Sequence, residues 1–327
     1  MKVIETTPAL AELAQVKKGC VLTIGNFDGV HIGHQAILAT ARQVAAKRAA
    51  ELVVMTFEPH PLAVLYPEKS PGILTPLALK KYLLTEFEVD CLLVVKSTRQ
   101  LLALSAQDFV QRFLVTNIQP GVVVEGHSFN FGSGRTGSVD LLQQLGTEEC
   151  FEVIVVGAKE VKLSTGQSPA VSSTVIRDLL KAGSVADAAT VLGRPYRLVG
   201  QVVPGRGKGK ELGFPTANMQ PSGQLVPAEG VYAGFVEIGD SFEDVCTAKQ
   251  KLPAAFSIGR FGTPRCEHRP LIEAHLLIED IGQLYDKWLA MDFVQRIRDQ
   301  RKFHTESQLS TQIAKDCEKA KEILATE

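Results

Sequence analysis

The sequence predicts an α/β domain followed by a small antiparallel β-barrel that a single helix closes. Three observations carry this reading. Apolar runs of strand length alternate with helical patterns through the first half of the chain. From Tyr196 onward the helical periodicity almost vanishes, and short strand-like runs follow one another between glycines and prolines. The length of 327 residues leaves room for two independent cores at about 150 residues each.

The first-half strands are VLTIG (21–25), ELVVMTF (51–57), CLLVV (91–95), GVVVEG (121–126) and FEVIVVG (151–157). Such runs are apolar without alternation, which suits strands covered on both faces by helices, and so a parallel sheet. Helical patterns lie at HQAILATARQVAAKRAA (34–50) and AQDFVQRFL (106–114), and SSTVIRDLLKAG (172–183) opens a helix pair ending near LGRPY. In the second half, RLVGQVV, VYAGFVEI, AAFSIG and LIEAHLLI supply the barrel strands. The closing helix begins at a capping box of Thr305 and Gln308 and presents Leu309, Ile313, Ala320 and Leu324 on one stripe. The boundary falls between Gly183 and Arg194, and no internal repeat is present.

Bulk composition narrows the partners. Hydrophobic residues at 45% and charged residues at 22% describe a globular chain, not a disordered one. A formal net charge of -1 supplies no global field for nucleic acid or an anionic membrane. The first twenty residues have no long apolar core and include Glu5 and Glu12, and no apolar run reaches membrane-spanning length. Six cysteines, scattered without a CxxC pair, read as reduced thiols of a cytoplasmic protein.

Two segments of the first domain carry phosphate chemistry. In GNFDGVHIGHQAIL, His31, Gly33 and His34 form an HxGH where a strand gives way to a helix. A helix start leaves unpaired N–H groups and partial positive charge, and two imidazoles there can hydrogen-bond a crowded α-phosphate. Gly33 admits the nucleotide without a Cβ in the way. The plain alternative is a capped helix with two surface histidines; a metal site lacks a third ligand nearby. Further on, Ser172, Ser173 and Thr174 precede a helix with Arg177 in its first turn. Hydroxyls and an arginine at a second helix start suit the leaving pyrophosphate, against the plain reading of a Ser/Thr N-cap.

These motifs, with TFEPHP (56–61), ILTPLALK (73–80), LSAQDFV (104–110) and FNFGSGRTG (129–137), resemble the nucleotidyltransferase module of prokaryotic bifunctional FAD synthetases. The stretches run in the family's order across most of residues 20–183. The resemblance implies a Rossmann-like nucleotidyltransferase domain over 1–183 that transfers AMP from ATP to FMN. It places His31, His34 and Arg177 in the catalytic set, and ATP on Gly25, Asn26, Phe27, Asp28, Gly33, Ser173 and Thr174. It sets Phe129 and Asn130 on the flavin side. Ser128 stands where the family usually carries Asp or Asn.

The second domain opens with GQVVPGRGKGKELGFPTANM, in which Gly205, Gly207, Gly209 and Gly213 interleave with Arg206, Lys208 and Lys210. Successive N–H groups of a glycine-rich turn cradle phosphates, although GxxxxGK[ST] is absent and such a loop is commonly only a surface loop. Thr216 and Asn218 add a hydroxyl and an amide oxygen, hard ligands that suit Mg²⁺. With EGVYAG (229–234), SIG (257–259), EAHLL (273–277) and KFHTESQL before the last helix, this half resembles riboflavin kinase. The resemblance implies a kinase barrel over 184–327 with Glu273 as general base, ATP on Gly205, Gly209 and Lys210, Mg²⁺ on Thr216 and Asn218, and flavin near Arg298. Without it, Glu273 is an ordinary solvated strand residue.

The chain departs from that pattern at Lys210, which replaces Arg, at Gln300, which replaces Glu, and at Asp286, which replaces a glycine. The last change suits a turn that does not need φ > 0. Other functions meet specific obstacles. Adenylyl transfer to phosphopantetheine or nicotinamide mononucleotide requires neither the second domain nor FNFGSGRTG. A class I aminoacyl-tRNA synthetase shares HxGH, but a KMSKS-like loop and net positive charge are absent. A flavin-binding regulator with a weakened kinase domain is the third alternative. The expectation is a bifunctional enzyme with ATP, flavin and Mg²⁺ as its small-molecule partners and neither nucleic acid nor membrane among them.

Overall fold

The computed structural model describes residues 1–6, 11–205, 208–247, 250–260, 270–278 and 284–326, without the side chains at 208, 210 and 260. Two compact units form: Met1–Pro71 with Lys80–Glu160, and Gly72–Leu79 with Val161–Glu327. Arg206, Gly207, Glu279 and Asp280, and the side chain of Lys210, lie outside the described residues.

The first unit is a six-stranded parallel sheet. Its strands are β1 (Lys2–Glu5), β2 (Val21–Ile24), β3 (Leu52–Glu58), β4 (Cys91–Lys96), β5 (Val122–Gly126) and β6 (Glu152–Val156), in the order β1-β4-β3-β2-β5-β6. All five expected strands are present, and β1 is an addition. It has only one buried residue, Ile4, so its sequence carries almost no apolar signal. Helices α1 (Ile32–Arg48), α2 (Pro61–Leu65), α3 (Leu77–Thr85), α4 (Arg99–Leu102), α5 (Ala106–Asp108) and α6 (Val139–Glu148) connect the strands. The last few turns after α5 run on as a π-helical stretch, Phe109–Val115. Its Phe109, Val110, Phe113 and Leu114 pack into one core with Leu22, Val53, Leu93 and Val123 of the sheet.

From β2 the chain steps one way to β3 and β4, then returns to the other side for β5. That reversal is the topological switch point, where open α/β sheets leave a crevice beyond the strands' carboxyl ends. The loop after β2, which carries the HxGH, emerges there.

In the second unit, α7 (Ser173–Ala182) and α8 (Val185–Leu192) precede a closed barrel. The barrel strands are β7 (Tyr196–Val203), β8 (Ala217–Pro221), β9 (Gly230–Gly239), β10 (Leu252–Arg260), β11 (Pro270–Leu276) and β12 (Trp288–Arg298), closing in the order β10-β11-β8-β7-β12-β9. Two short helices, α9 (Lys208–Glu211) and α10 (Phe242–Thr247), sit in its loops, and α11 (Glu306–Leu324) ends the chain. The pattern found four of the six strands. In β8 only Ala217 and Met219 point inward, and a proline ends it. In β12 the outward residues Ala290 and Asp292 are buried as well, which hides the alternation.

The barrel interior holds Phe256, Ile258, Ile272, Ala274, Met291 and Phe293, and the same core includes Ile176 and Leu180 of α7 and Ala188 and Val191 of α8. The amide of Ala228 donates to the carbonyl of Leu180 at 2.9 Å. Gly183 ends α7 at φ 78, a left-handed value that favours glycine, and the Arg296 guanidinium carbon lies 2.9 Å from where a Cβ would stand. The stretch 161–183 thus packs with the barrel.

Thr305 caps α11 by accepting from the Gln308 amide, and the Gln308 side chain accepts from His304. The buried stripe of that helix is Asp316, Cys317, Ala320 and Leu324, while Leu309 and Ile313 are half-buried. Cys20, Cys91, Cys246 and Cys317 are buried free thiols, and burial pushes Cys20 and Cys246 up to about 12. No helix among the described residues is long and apolar enough to cross a membrane.

Candidate active sites

The loop from Gly25 to His31 is built under strain. Phe27 and Val30 have φ of 46 and 42, left-handed values that a β-branched valine rarely adopts. Both are buried, and several bonds over-determine the conformation. Gly25 N–H goes to the Met55 carbonyl at 3.0 Å, Thr56 Oγ1 to the Asn26 carbonyl at 3.2 Å, and Gln35 Nε2 to the Val30 carbonyl at 2.9 Å. Such strain persists only where the surrounding structure over-determines it.

His31 is the N-cap of α1, its Nδ1 accepting the His34 backbone N–H at 3.2 Å. In a neutral ring that leaves the proton on Nε2, so the outer nitrogen of His31 is a donor. The His34 ring stacks on it, centroids 3.6 Å apart at 12°, with Phe27 tilted against His34 at 5.1 Å. Two parallel imidazoles at a helix N-terminus suit an anionic ligand.

Three residues beside this loop escaped the sequence reading. His60 caps α2, accepting from the Leu62 amide, and its Nε2 lies 3.1 Å from the side-chain amide of Asn26. Lys80 is buried, with Nζ 3.3 Å from Thr56 Oγ1. Burial lowers its pKa, against the pull of Asp28 and Glu58. Glu125, 2% exposed near the end of β5, accepts the Ile24 N–H at 2.5 Å. Burial holds its carboxyl well above the usual range, more than the bonds from Ile24 and Thr23 lower it. The β2–β5 ladder has pairs at Val21↔Val122 and Leu22↔Val123, and beyond them the Glu125 side chain takes the next N–H. Lys80 and His60 gave a signal only as members of the motifs ILTPLALK and TFEPHP.

In the same unit Phe129 stacks on Phe131 at 5.6 Å, and Asn130 Nδ2 donates to the Ser128 carbonyl at 2.7 Å. Phe131 is buried and pairs with Gly137, so FNFGSGRTG folds as a closed turn on the aromatic core.

The second unit holds the other hydroxyl cluster. Ser172 caps α7 by accepting from Val175, which puts Ser173 and Thr174 in the first turn. Arg177 is 9% exposed and donates from Nε to the Gly72 carbonyl at 2.8 Å. The segment carrying Gly72 is fastened to the barrel: Leu225 N–H bonds the Ile73 carbonyl, and Gln224 Nε2 bonds the Leu74 carbonyl. The HxGH and the Ser-Ser-Thr segment therefore belong to different units.

On the outer face of the barrel a row of cross-strand partners is fixed by register: Ser257 opposite Glu273, and Glu273 opposite Asn218. Their neighbours Phe256, Ile258, Ile272, Ala274, Ala217 and Met219 face the core, so the row points outward. Gly205 and Gly209 lie directly on this row. A Cβ on Gly205 would collide with the Asn218 amide, and one on Gly209 would meet Thr216 Oγ1 at 2.9 Å. His275 Nδ1 is 2.8 Å from the Pro215 carbonyl, fixing the Phe-Pro-Thr turn. Thr216, Asn218, Glu273, Gly205 and Gly209 thus come together as expected, and Ser257 joins them.

Arg298 is engaged elsewhere, in a fork on Asp316 of α11 with Nη2–Oδ2 at 2.6 Å. That ion pair joins β12 to the closing helix. Asp286 has φ 64, so the turn does need the left-handed region, and aspartate occupies it in glycine's place.

A family model described as FAD synthetase matches residues 13–174, and one described as riboflavin kinase matches residues 192–324. The bifunctional riboflavin kinase/FMN adenylyltransferase of Escherichia coli K12 is 36% identical over 97% of this chain and 96% of its own. Its Bacillus subtilis counterpart is 32% identical over 98% and 97%. A crystal structure described as a macrolide-efflux protein from Streptococcus pneumoniae shares the fold at TM-score 0.82, with 28% identity over 98% of this chain and 99% of that one. By sequence over its whole length and by both domain matches, the chain belongs to the bifunctional riboflavin kinase/FMN adenylyltransferase family.

Proposed function

We propose that the chain phosphorylates riboflavin to FMN with ATP on its barrel and then adenylylates FMN to FAD, releasing pyrophosphate. Residues 1–183 serve the second reaction and 184–327 the first. The observation that carries the kinase reading is Glu273 held in register between Ser257 and Asn218, with Gly205 and Gly209 lying on the same row. A ribityl hydroxyl is a weak nucleophile at neutral pH, so Glu273 takes its proton as the oxygen attacks the γ-phosphate, and ADP leaves.

The residues present fit Mg²⁺: Thr216 and Asn218 offer hard oxygens beside a loop that only glycine backbone can approach so closely. They would hold the ion, which neutralises phosphate charge. Lys210 is assigned to the ATP phosphates on the same loop.

In the second reaction the FMN phosphate is already an anion and needs no base. It attacks the α-phosphate of ATP. The Nε2 donor of His31 and the His34 ring stacked on it stabilise the charge that develops there. Ser173, Thr174 and Arg177 are assigned to the departing pyrophosphate, and Phe129 and Asn130 to the flavin; Arg298 serves the flavin side through its anchor on α11. The protein works in the cytoplasm, with small molecules and neither nucleic acid nor membrane as its partners.

One experiment tests both halves. The full chain and its His34→Ala and Glu273→Gln variants are given riboflavin or FMN with ATP and Mg²⁺, and the flavins are resolved by chromatography. His34→Ala should slow FAD formation roughly 10²–10³-fold and spare FMN formation. Glu273→Gln should slow FMN formation roughly 10²–10⁴-fold and spare FAD formation from supplied FMN. Equal loss of both reactions in either variant defeats the two-site reading.

A further inference from the structure

We infer that Gln300 and Ser257 form a positioning relay that aims the carboxylate of Glu273 at the substrate hydroxyl. The inference rests on Glu273 being the kinase base, as proposed above.

Gln300 lies just past β12 and is half-buried. Its Nε2 donates to Ser257 Oγ at 2.9 Å and to the Ile258 carbonyl at 3.0 Å. The second bond fixes which way the amide points, because a carbonyl oxygen accepts only from the nitrogen end. Ser257 Oγ therefore receives a hydrogen bond from Gln300, and the single proton of the hydroxyl is left for a different acceptor.

The ladder places Glu273 opposite that hydroxyl. Ser257 and Glu273 are directly opposed on antiparallel strands, on the outward face of both. Opposed Cβ atoms stand about 5 Å apart, within reach of a serine hydroxyl and a glutamate carboxylate. A hydroxyl donating to the carboxylate favours its ionised form and fixes its rotamer, and both conditions serve a general base.

The residue type at 300 matters for the same reason. The resembled kinases usually carry Glu here, and a carboxylate has no hydrogen for the Ile258 carbonyl. In this chain the amide supplies two donors at once, to the strand and to the serine. The departure from the family pattern is what builds the relay.

The test uses the full chain, with FAD formation from supplied FMN as the internal control for folding. Gln300→Ala and Ser257→Ala should each lower kcat for FMN formation roughly tenfold, the worth of one hydrogen bond to a charged group, with KM for ATP and riboflavin within about twofold. Gln300→Glu should behave as Gln300→Ala, and Ser257→Thr, which keeps the hydroxyl, should restore turnover. In a Glu273→Gln background, neither alanine change should lower the residual rate further, because the relay acts through that carboxylate. Wild-type kcat in Gln300→Ala, failure of Ser257→Thr to restore turnover, or an undiminished tenfold loss in the Glu273→Gln background overturns the relay. Wild-type turnover in Glu273→Gln itself overturns the base assignment instead.

Discussion

Arg177 donates from Nε to the carbonyl oxygen of Gly72 at 2.8 Å, so the arginine assigned to pyrophosphate is also a structural tie. Replacement with alanine should therefore have two separable effects. FAD formation should fall roughly 10²-fold through loss of a cation at the leaving group. Thermal stability should fall by about 1–2 kcal/mol, because a carbonyl is left without its donor. FMN formation should persist. A melting temperature that drops while FAD formation stays within twofold would make Arg177 a structural residue alone.

Gly205 and Gly209 lie close against Asn218 and Thr216. A Cβ at either position meets fixed atoms: the Asn218 amide for Gly205, and the Phe214 carbonyl at 2.5 Å with Thr216 Oγ1 at 2.9 Å for Gly209. Gly205→Ala and Gly209→Ala should each cost FMN formation at least about tenfold, since overpacking by one methyl commonly strains a site by about 1–3 kcal/mol. Gly213, at φ 83 but facing open space, is the control. Gly213→Ala should alter stability by about 1 kcal/mol and leave the rate nearly unchanged. Initial rates of FMN formation at saturating ATP decide the matter.

The sequence made the architecture legible wherever burial and pattern agree. The parallel strands read directly because VLTI, LVVMTFE and CLLVVK are covered on both faces. Two barrel strands did not: β8 has only Ala217 and Met219 facing inward, and on β12 burial departs from alternation. Asp292 on β12 is buried against Arg197, with Nη2–Oδ2 at 2.7 Å, and a charged residue at that place reads as solvent-facing. The site residues within motifs were legible by spacing. Their supports were not: Ser257 stands opposite Glu273 only through strand register, and Glu125 meets Ile24 across a ladder separated by 101 residues. Asp286 shows the reverse case, a residue whose type argued against the left-handed turn it adopts.

Cutting the chain should reveal the difference between the functional and the compact boundary. Ile176 and Leu180 of α7 are wholly buried in the barrel's core. A fragment beginning at residue 184 loses both, at about 1.5–3 kcal/mol for each large aliphatic side chain, and leaves the Ala228 N–H without the Leu180 carbonyl. A fragment beginning at residue 161 keeps them. Both should form FMN and neither should form FAD, but the shorter one should melt several degrees lower. Equal melting temperatures would show that α7 contributes nothing to the barrel; a folded 184–327 fragment without kinase activity would move the functional boundary.

Glu125 gives a pH dependence whose sign can be worked out. Its carboxyl is buried, and its folded pKa lies well above the usual value, so the folded state keeps it neutral where the unfolded chain ionises it. Below the unfolded pKa of about 4.3 both states are protonated, and the residue contributes its full stability. As pH rises through and above that value, the unfolded state alone releases the proton. Stability is then lost at about 1.4 kcal/mol per pH unit until the folded pKa is reached. Glu125→Gln keeps an oxygen for the Ile24 N–H at the same place and has no proton to release. The variant should therefore match the parent near pH 4 and gain on it as pH rises from there to the folded pKa, with FAD formation retained because the stem of the β2 loop is still held. A difference in melting temperature that stays constant between pH 4 and pH 8 would show that Glu125 is not a buried neutral acid, and that the Ile24 N–H is held by a carboxylate.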